Sequence, residues 1–243
     1  MSRDYVAIVT GAAGYGMGRS IALTLARDGL RVVVNYRQSR ENAKAIVDYI
    51  NTTGRKAIAV QADVFVPEDC KKLVDQTLDA FGKIDVCIIN PGGGWHPESL
   101  DQLNPSGALE DLQQEVAPYY HLLPLILPSM RNQKWGRIIG IALNLNKPSP
   151  AYAYNVAKAA RVQAIFLSQD QVWPDGVTVN VIAPGPVHKI PTLEEAIEQC
   201  NHGDQWLSRK DVSPQDIAEG VSFLCSEAGS YITGCLLPYG FRG

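Results

Sequence analysis

Short apolar, β-branched runs recur along this chain and alternate with longer stretches whose apolar positions fall at helical spacing. Strands are predicted at Tyr5–Thr10 (YVAIVT), Arg31–Tyr36 (RVVVNY), Lys56–Val60, Ile84–Asn90 (IDVCIIN), Arg137–Leu143, Val177–Ile182 and near Cys235–Pro238. Helices are predicted at Arg19–Asp28, which Gly29 ends, and at Glu41–Asn51, Pro67–Phe81, Tyr152–Gln171 and Pro214–Leu224. Residues 107–130 also read as helical. Pro118 and Pro124 should kink that stretch or restrict it to shorter helices, because proline lacks the backbone N–H and clashes with the preceding turn. Residues 186–208 read as a polar, poorly patterned excursion, suited to a lid over a substrate cleft.

Strands buried on both faces and separated by helices predict an α/β fold: a Rossmann-type, doubly wound parallel sheet. Neither a linker nor a repeat interrupts it, so residues 1–243 are expected to form one domain. A net charge of −3 without a basic cluster argues against a nucleic-acid partner. No apolar run reaches the ~20 residues that span a bilayer, which argues against a membrane partner. The start of the chain runs directly into a strand, so no signal peptide is expected. The five cysteines are scattered, with no C-x-x-C and no interleaved histidine. That pattern predicts free thiols, no metal site and a cytoplasmic location, with Cys87 in the core.

The candidate chemistry begins with Tyr154 and Lys158, four residues apart on one helix face. An ammonium beside a phenol favours the phenolate, so Lys158 is expected to lower the Tyr154 pKa and make it a general acid/base. The other reading is a packed ring beside a solvated lysine. Gly11–Gly18 (GAAGYGMG) lies between the first strand and the first helix, where glycines let backbone N–H groups approach a pyrophosphate. The second strand ends Asn35-Tyr36-Arg37, with no acid to take a ribose 2′-hydroxyl. Arg37 could instead pair with a 2′-phosphate, which favours NADP over NAD; the alternative is an arginine in a solvated loop.

With these residues in place, the chain resembles the short-chain dehydrogenase/reductase family over its full length. Thr10-Gly11 with Gly16 and Gly18 resembles the family's glycine loop. Asp63-Val64 resembles the pair that touches adenine, and Asn90 to Gly92 sits where the family has Asn-Asn-Ala-Gly. Tyr154 and Lys158 match its Tyr-x-x-x-Lys, Pro184-Gly185 its turn near the nicotinamide, and Tyr231-Ile232-Thr233-Gly234 its C-terminal signature. Val32–Arg37 looks closest to the 3-oxoacyl-carrier-protein reductase branch. The resemblance implies hydride transfer between a nicotinamide and a carbonyl or alcohol of a small molecule, possible substrates including 3-oxoacyl or polyketide-like ones. Tyr154 would exchange the proton and Lys158 would hold the ribose. It also implies a homotetramer or homodimer, with helices 107–130 and 152–171 between subunits.

The same comparison exposes departures. Where the family strand reads Gly-Arg-Ile-Val-Asn-Ile-Ser-Ser, this chain reads Gly136-Arg-Ile-Ile-Gly-Ile-Ala-Leu143, so the catalytic serine is replaced. Asn144 is the candidate replacement donor, or else a turn or packing residue, and Ser149 is a second candidate. The helix asparagine is also missing. Counting back from Leu127-Pro128-Ser129-Met130 places Glu115 at its position, give or take one residue, as either a proton-transfer group or a helix-surface acid. The glycine loop has four residues between Gly11 and Gly16 rather than three, Trp95 and His96 follow the altered Asn90 element, and Lys189 takes the place of a threonine. Two functions therefore stand: an NADP-dependent reductase, or a weak or inactive paralogue that binds a dinucleotide or a partner.

Overall fold

A computed structural model describes residues 4–93, 98–143, 151–202 and 211–240. Its centre is a single parallel sheet of seven strands: β1 (Val6–Val9), β2 (Arg31–Tyr36), β3 (Ala57–Gln61), β4 (Val86–Ile89), β5 (Gly136–Ile141), β6 (Val177–Pro184) and β7 (Leu236–Tyr239). They lie in the order β3-β2-β1-β4-β5-β6-β7. The winding direction reverses between β1 and β4, which opens a crevice at the carboxyl ends of those strands.

The alternation of side chains across each strand builds two cores. Ala7, Val9, Val32, Val34, Val86 and Ile88 face one layer, while Ile8, Val33, Cys87, Ile89 and Ile138 face the other. The first layer contains α1 (Met17–Arg27), α2 (Arg40–Thr52) and α8 (Pro214–Cys225). The second contains α3 (Pro67–Phe81), α4 (Pro105–Gln133) and α5 (Tyr152–Phe166). Strands buried on both faces are what the near-continuous apolar runs predict.

Local chemistry sets the helix ends. Pro67 opens α3 with Glu68 and Asp69 in its first turn, and Gly82 closes it at φ 77°. In α8, Ser213 and Asp216 form a reciprocal capping box ahead of Pro214. Asn104 caps α4 by accepting from the Ser106 and Gly107 amides.

Three expectations need correction. The prolines do not divide residues 107–130: α4 is one helix of 29 residues with Pro118, Pro124 and Pro128 inside it. Its buried stripe, Asp111, Glu115, Tyr119, Leu122, Ile126 and Met130, repeats every three or four residues and packs against α5 and the sheet. That packing holds the helix across the three missing N–H donors. Nor is the 186–208 excursion without pattern. It contains α7 (Leu193–His202), which packs against α1 and buries Ala196 and Cys200. A short helix, α6 (Gln169–Val172), replaces the end of the long helix predicted to reach Gln171.

Candidate active site

The crevice between β1 and β4 is tied together by Asn90. Its backbone N–H donates to Thr10 Oγ1 at 3.0 Å, and its side-chain amide donates to the Thr10 carbonyl at 3.2 Å. Gly11 follows β1 at φ 60°, with its N–H on Asn35 Oδ1 at 3.1 Å. A Cβ on Gly18 would run into the Gly11 carbonyl at 2.5 Å, so glycine lets α1 start against the loop. Gly16 is the N-cap of α1 and has open space around it. These positions leave the amino end of α1 facing the crevice, where an anion is favoured.

Arg37 is 58% exposed, with NH1 3.6 Å from Asp63 Oδ2. A cavity of about 450 Å³ lies beside it, lined by Gly11, Ala13, Gly14, Tyr36, Arg37, Gln38 and Ser39. Val64 is buried behind Asp63. Pro184 ends β6, and the Gly185 N–H is held by the Tyr239 carbonyl at 3.1 Å. Lys189 is exposed, while the neighbouring Ile190 is bound to the glycine loop: its N–H donates to the Tyr15 carbonyl at 2.8 Å, and its carbonyl accepts from Arg19.

Tyr154, Lys158 and Arg161 share one face of α5, and the polar part of the α4 stripe meets them. Glu115 is wholly buried. Its Oε1 accepts from Lys158 Nζ at 2.8 Å and from the Gly93 N–H at 2.7 Å, and its Oε2 accepts from Arg161 NH1 at 2.9 Å. Glu115 is therefore no helix-surface acid. Arg161 also donates to the Pro91 carbonyl (2.6 Å), the Ile89 carbonyl (2.7 Å) and the Tyr119 hydroxyl (3.3 Å). Lys158 Nζ stands 5.2 Å from the centroid of the Tyr154 ring.

This charge arrangement corrects the expected pKa. Burial pushes the half-buried Tyr154 phenol above its ordinary value; Glu115 and Asp111 push it further, against Arg161. The Lys158 ammonium, for its part, faces the Glu115 carboxylate. Burial pulls Lys158 itself below the usual lysine value, opposed by Glu115.

Ala142, which the sequence sets at the family's first serine position, is buried, and its N–H donates to the Ile182 carbonyl at 2.9 Å. Leu143 is half-buried beside it. Asn144, Ser149, Trp95 and His96 lie outside the described residues, as do residues 203–208 of the proposed lid. The five cysteines are free thiols, Cys87 among the buried ones. Sequence reasoning missed Arg161 and Tyr119. The available signal was spacing: Arg161 lies seven residues beyond Tyr154, and Tyr119 four beyond Glu115.

Comparison with known proteins places this geometry. A family model described as enoyl-(acyl carrier protein) reductase matches residues 11–239. A 3-oxoacyl-(acyl-carrier-protein) reductase of Staphylococcus epidermidis is 30% identical over 234 residues, covering 94% of each chain. Versicolorin reductase of Emericella nidulans is 32% identical over 255 residues, 96% of this chain and 92% of that one. Among solved structures, a short-chain dehydrogenase from Burkholderia cenocepacia in complex with NADP superposes with a TM-score of 0.79 at 28% identity, over 96% of this chain and 95% of that one. A parallel sheet wound in this order, a glycine loop at its switch point and matches over nearly the whole length lead to one conclusion: the chain belongs to the short-chain dehydrogenase/reductase family of oxidoreductases.

Proposed function

We propose that this protein is an NADPH-dependent reductase of a ketone carried by a small molecule, of the 3-oxoacyl or polyketide-like class. The observation that carries the reading is the Tyr154–Lys158 pair on α5, set at the same end of the sheet as the glycine loop. The residues present fit the cofactor. Gly11 and Gly18 let the loop and the start of α1 close against Asn90 and Pro91, and Gly14 and Gly16 keep open space where a pyrophosphate could approach the backbone. Arg37 offers a guanidinium beside the adjoining cavity, where it would take the 2′-phosphate, with Asp63 and Val64 at the adenine. Lys158 and Asn90 would hold the nicotinamide side, with the Pro184-Gly185 turn against the ring. When bound, reduced NADP supplies the hydride to the carbonyl carbon.

Tyr154 donates its phenolic proton to the oxygen as the C–O double bond becomes a single bond, leaving an alcohol and a phenolate that recovers its proton from solvent. A phenol held protonated by burial suits this direction, because a nascent alkoxide is a stronger base than a phenolate. Asn144, three residues beyond the end of β5, is the proposed amide donor to the substrate oxygen in place of the serine. A donor of that kind is worth ~10²–10³ in rate. Substrate class is supported by the two curated relatives, one a 3-oxoacyl-(acyl-carrier-protein) reductase and the other a versicolorin reductase.

Exposed Leu109, Tyr120, Tyr152, Val156 and Leu167 on and beside α4 and α5 support burial of these helices in a homodimer or homotetramer. A cytoplasmic setting fits the free thiols. Among the described residues, no helix is long and apolar enough to cross a membrane.

The test is NADPH oxidation against a panel of 3-oxoacyl thioesters and cyclic ketones, with Tyr154→Phe as control. Turnover that Tyr154→Phe abolishes supports the reading. The methyl of Ala142 where a serine would bind oxygen favours a second reading, a dinucleotide-binding subunit with little activity. Tight NADPH binding without turnover of any ketone selects that second reading.

A further inference from the structure

Several of this chain's departures from the family pattern meet in one place. Glu115 falls within one residue of the missing asparagine's position, and the altered turn after β4 is Pro91-Gly92-Gly93. The strand asparagine of the family pattern is Gly140. In the structure, the Glu115 carboxylate lies between Lys158 and Arg161 at 2.8 and 2.9 Å. A Cβ on Gly92 would meet both Glu115 oxygens and Arg161 NH1 at 2.5 Å, so the turn can cross the pair only as glycine. A Cβ on Gly140 would overlap the Tyr119 hydroxyl that accepts from Arg161. Arg161 in turn occupies the carbonyls of Ile89 and Pro91 at the end of β4.

A carboxylate with no exposure is tolerated only where cations and donors surround it. Glu115 has Lys158, Arg161 and the Gly93 N–H. Lys158 is the member of this set that reaches the proposed chemistry, and its side chain is only 9% exposed. A flexible four-carbon stem is thereby fixed at its charged end.

We propose that Glu115 is the positioning residue of the Tyr154–Lys158 dyad, and that Arg161 is the fixed cation that holds Glu115 in place and balances its charge. The proposal rests on the reductase reading for its catalytic consequence, but the electrostatic part stands on the geometry alone. From the described elements, the charged groups facing Tyr154 are Glu115 and Asp111 on α4 and Lys158 and Arg161 on α5. The turn at 89–93 and the end of β5 at 140–143 bring none. Glu115 pushes the phenol up and Arg161 pulls it down.

The experiment is an NMR titration of ¹³Cζ-tyrosine-labelled protein, with Tyr154 assigned by loss of its signal in Tyr154→Phe. Glu115→Gln should move the Tyr154 midpoint down, and Arg161→Leu should move it up. Folded single variants with unmoved midpoints, or with shifts of the same sign, overturn the proposal. If neither single variant folds, the double variant Glu115→Gln/Arg161→Leu decides. Its midpoint should lie below the wild-type one, since Glu115 is the stronger influence, and coincidence with wild type overturns the proposal. Where a ketone is turned over, Glu115→Gln should lower kcat about 10- to 100-fold with a smaller change in KM, and an unchanged kcat also refutes positioning. The titration needs no turnover, so failure of the reductase reading and failure of this one are told apart.

Discussion

Gly140→Ala tests whether the packing under the buried charges is as tight as the structure has it. Gly140 lies inside β5, paired with Ile89 on one side and Val181 on the other, and its open face receives Tyr119. An added methyl would overlap the Tyr119 hydroxyl and the tip of Ile165, and sit 3.1 Å from Tyr119 Cζ. Ile165 ends in a flexible methyl that can turn away. Tyr119 cannot, because its hydroxyl is held by Arg161 Nε and its ring is wholly buried. Overpacking of this kind costs about 1–3 kcal/mol. Removing a strand glycine returns roughly 0.5–1 kcal/mol through the unfolded chain. The net expectation is a loss of ~1–2 kcal/mol, read as a lower urea midpoint at unchanged m-value, or as a fall in Tm of about 2–8 °C. Tyr119→Phe alone should cost about 0.5–1.5 kcal/mol for the lost hydrogen bond. Together the two changes should be less harmful than their sum by ~1 kcal/mol, since phenylalanine clears the oxygen that the methyl strikes. A neutral or stabilising Gly140→Ala, or strict additivity in the pair, would falsify the account.

Further outcomes follow from other parts of the molecule. Arg37→Gln should weaken NADPH about 10- to 100-fold while sparing NADH, the scale of one charge-assisted bond, measured by fluorescence titration of both. In the reductive direction Tyr154 must be protonated, and its pKa is raised from 10.0, so any tyrosine-dependent fall in kcat/KM should have its midpoint above pH 10.0. The same shift contributes stability that is present below the unfolded value and lost as pH rises through the folded one, so stability should decline on the alkaline side. Burial pushes Cys70 and Cys225 up to about 12 and raises Cys87 and Cys200 as well, leaving the half-buried Cys235 as the thiol that Ellman's reagent should label in native protein. Ser213→Ala should cost ~1 kcal/mol by breaking the α8 cap.

The sheet was legible because β-branched runs buried on both faces leave a strong local trace, and every predicted strand is present within a few residues. The helical character of 107–130 was legible too, but its continuity through the prolines was not, because the proline rule is local while α4 is held by what it packs against. The helix inside 186–208 was hidden because its buried residues, Ala196 and Cys200, are small and carry little hydrophobic signal. Tyr154 and Lys158 could be paired by spacing within one helix. The environment that sets their charge could not, since Glu115 arrives from a helix 46 residues before Arg161. For the same reason an arginine on α5 looks like surface in the sequence and is wholly buried in the fold.

The cluster of Glu115, Arg161, Tyr119, Gly92 and Gly140 also bears on how this chain could change over generations. Replacing Glu115 alone with asparagine would leave the Arg161 guanidinium without its carboxylate, and losing Arg161 alone would leave Glu115 and the β4 carbonyls short of donors. Breaking a buried pair from one side costs about 3–5 kcal/mol, a large share of what holds a domain together. A single change at either position is therefore expected to remove much of the domain's stability. Exchanging this pair for other residues requires coordinated replacements at both positions.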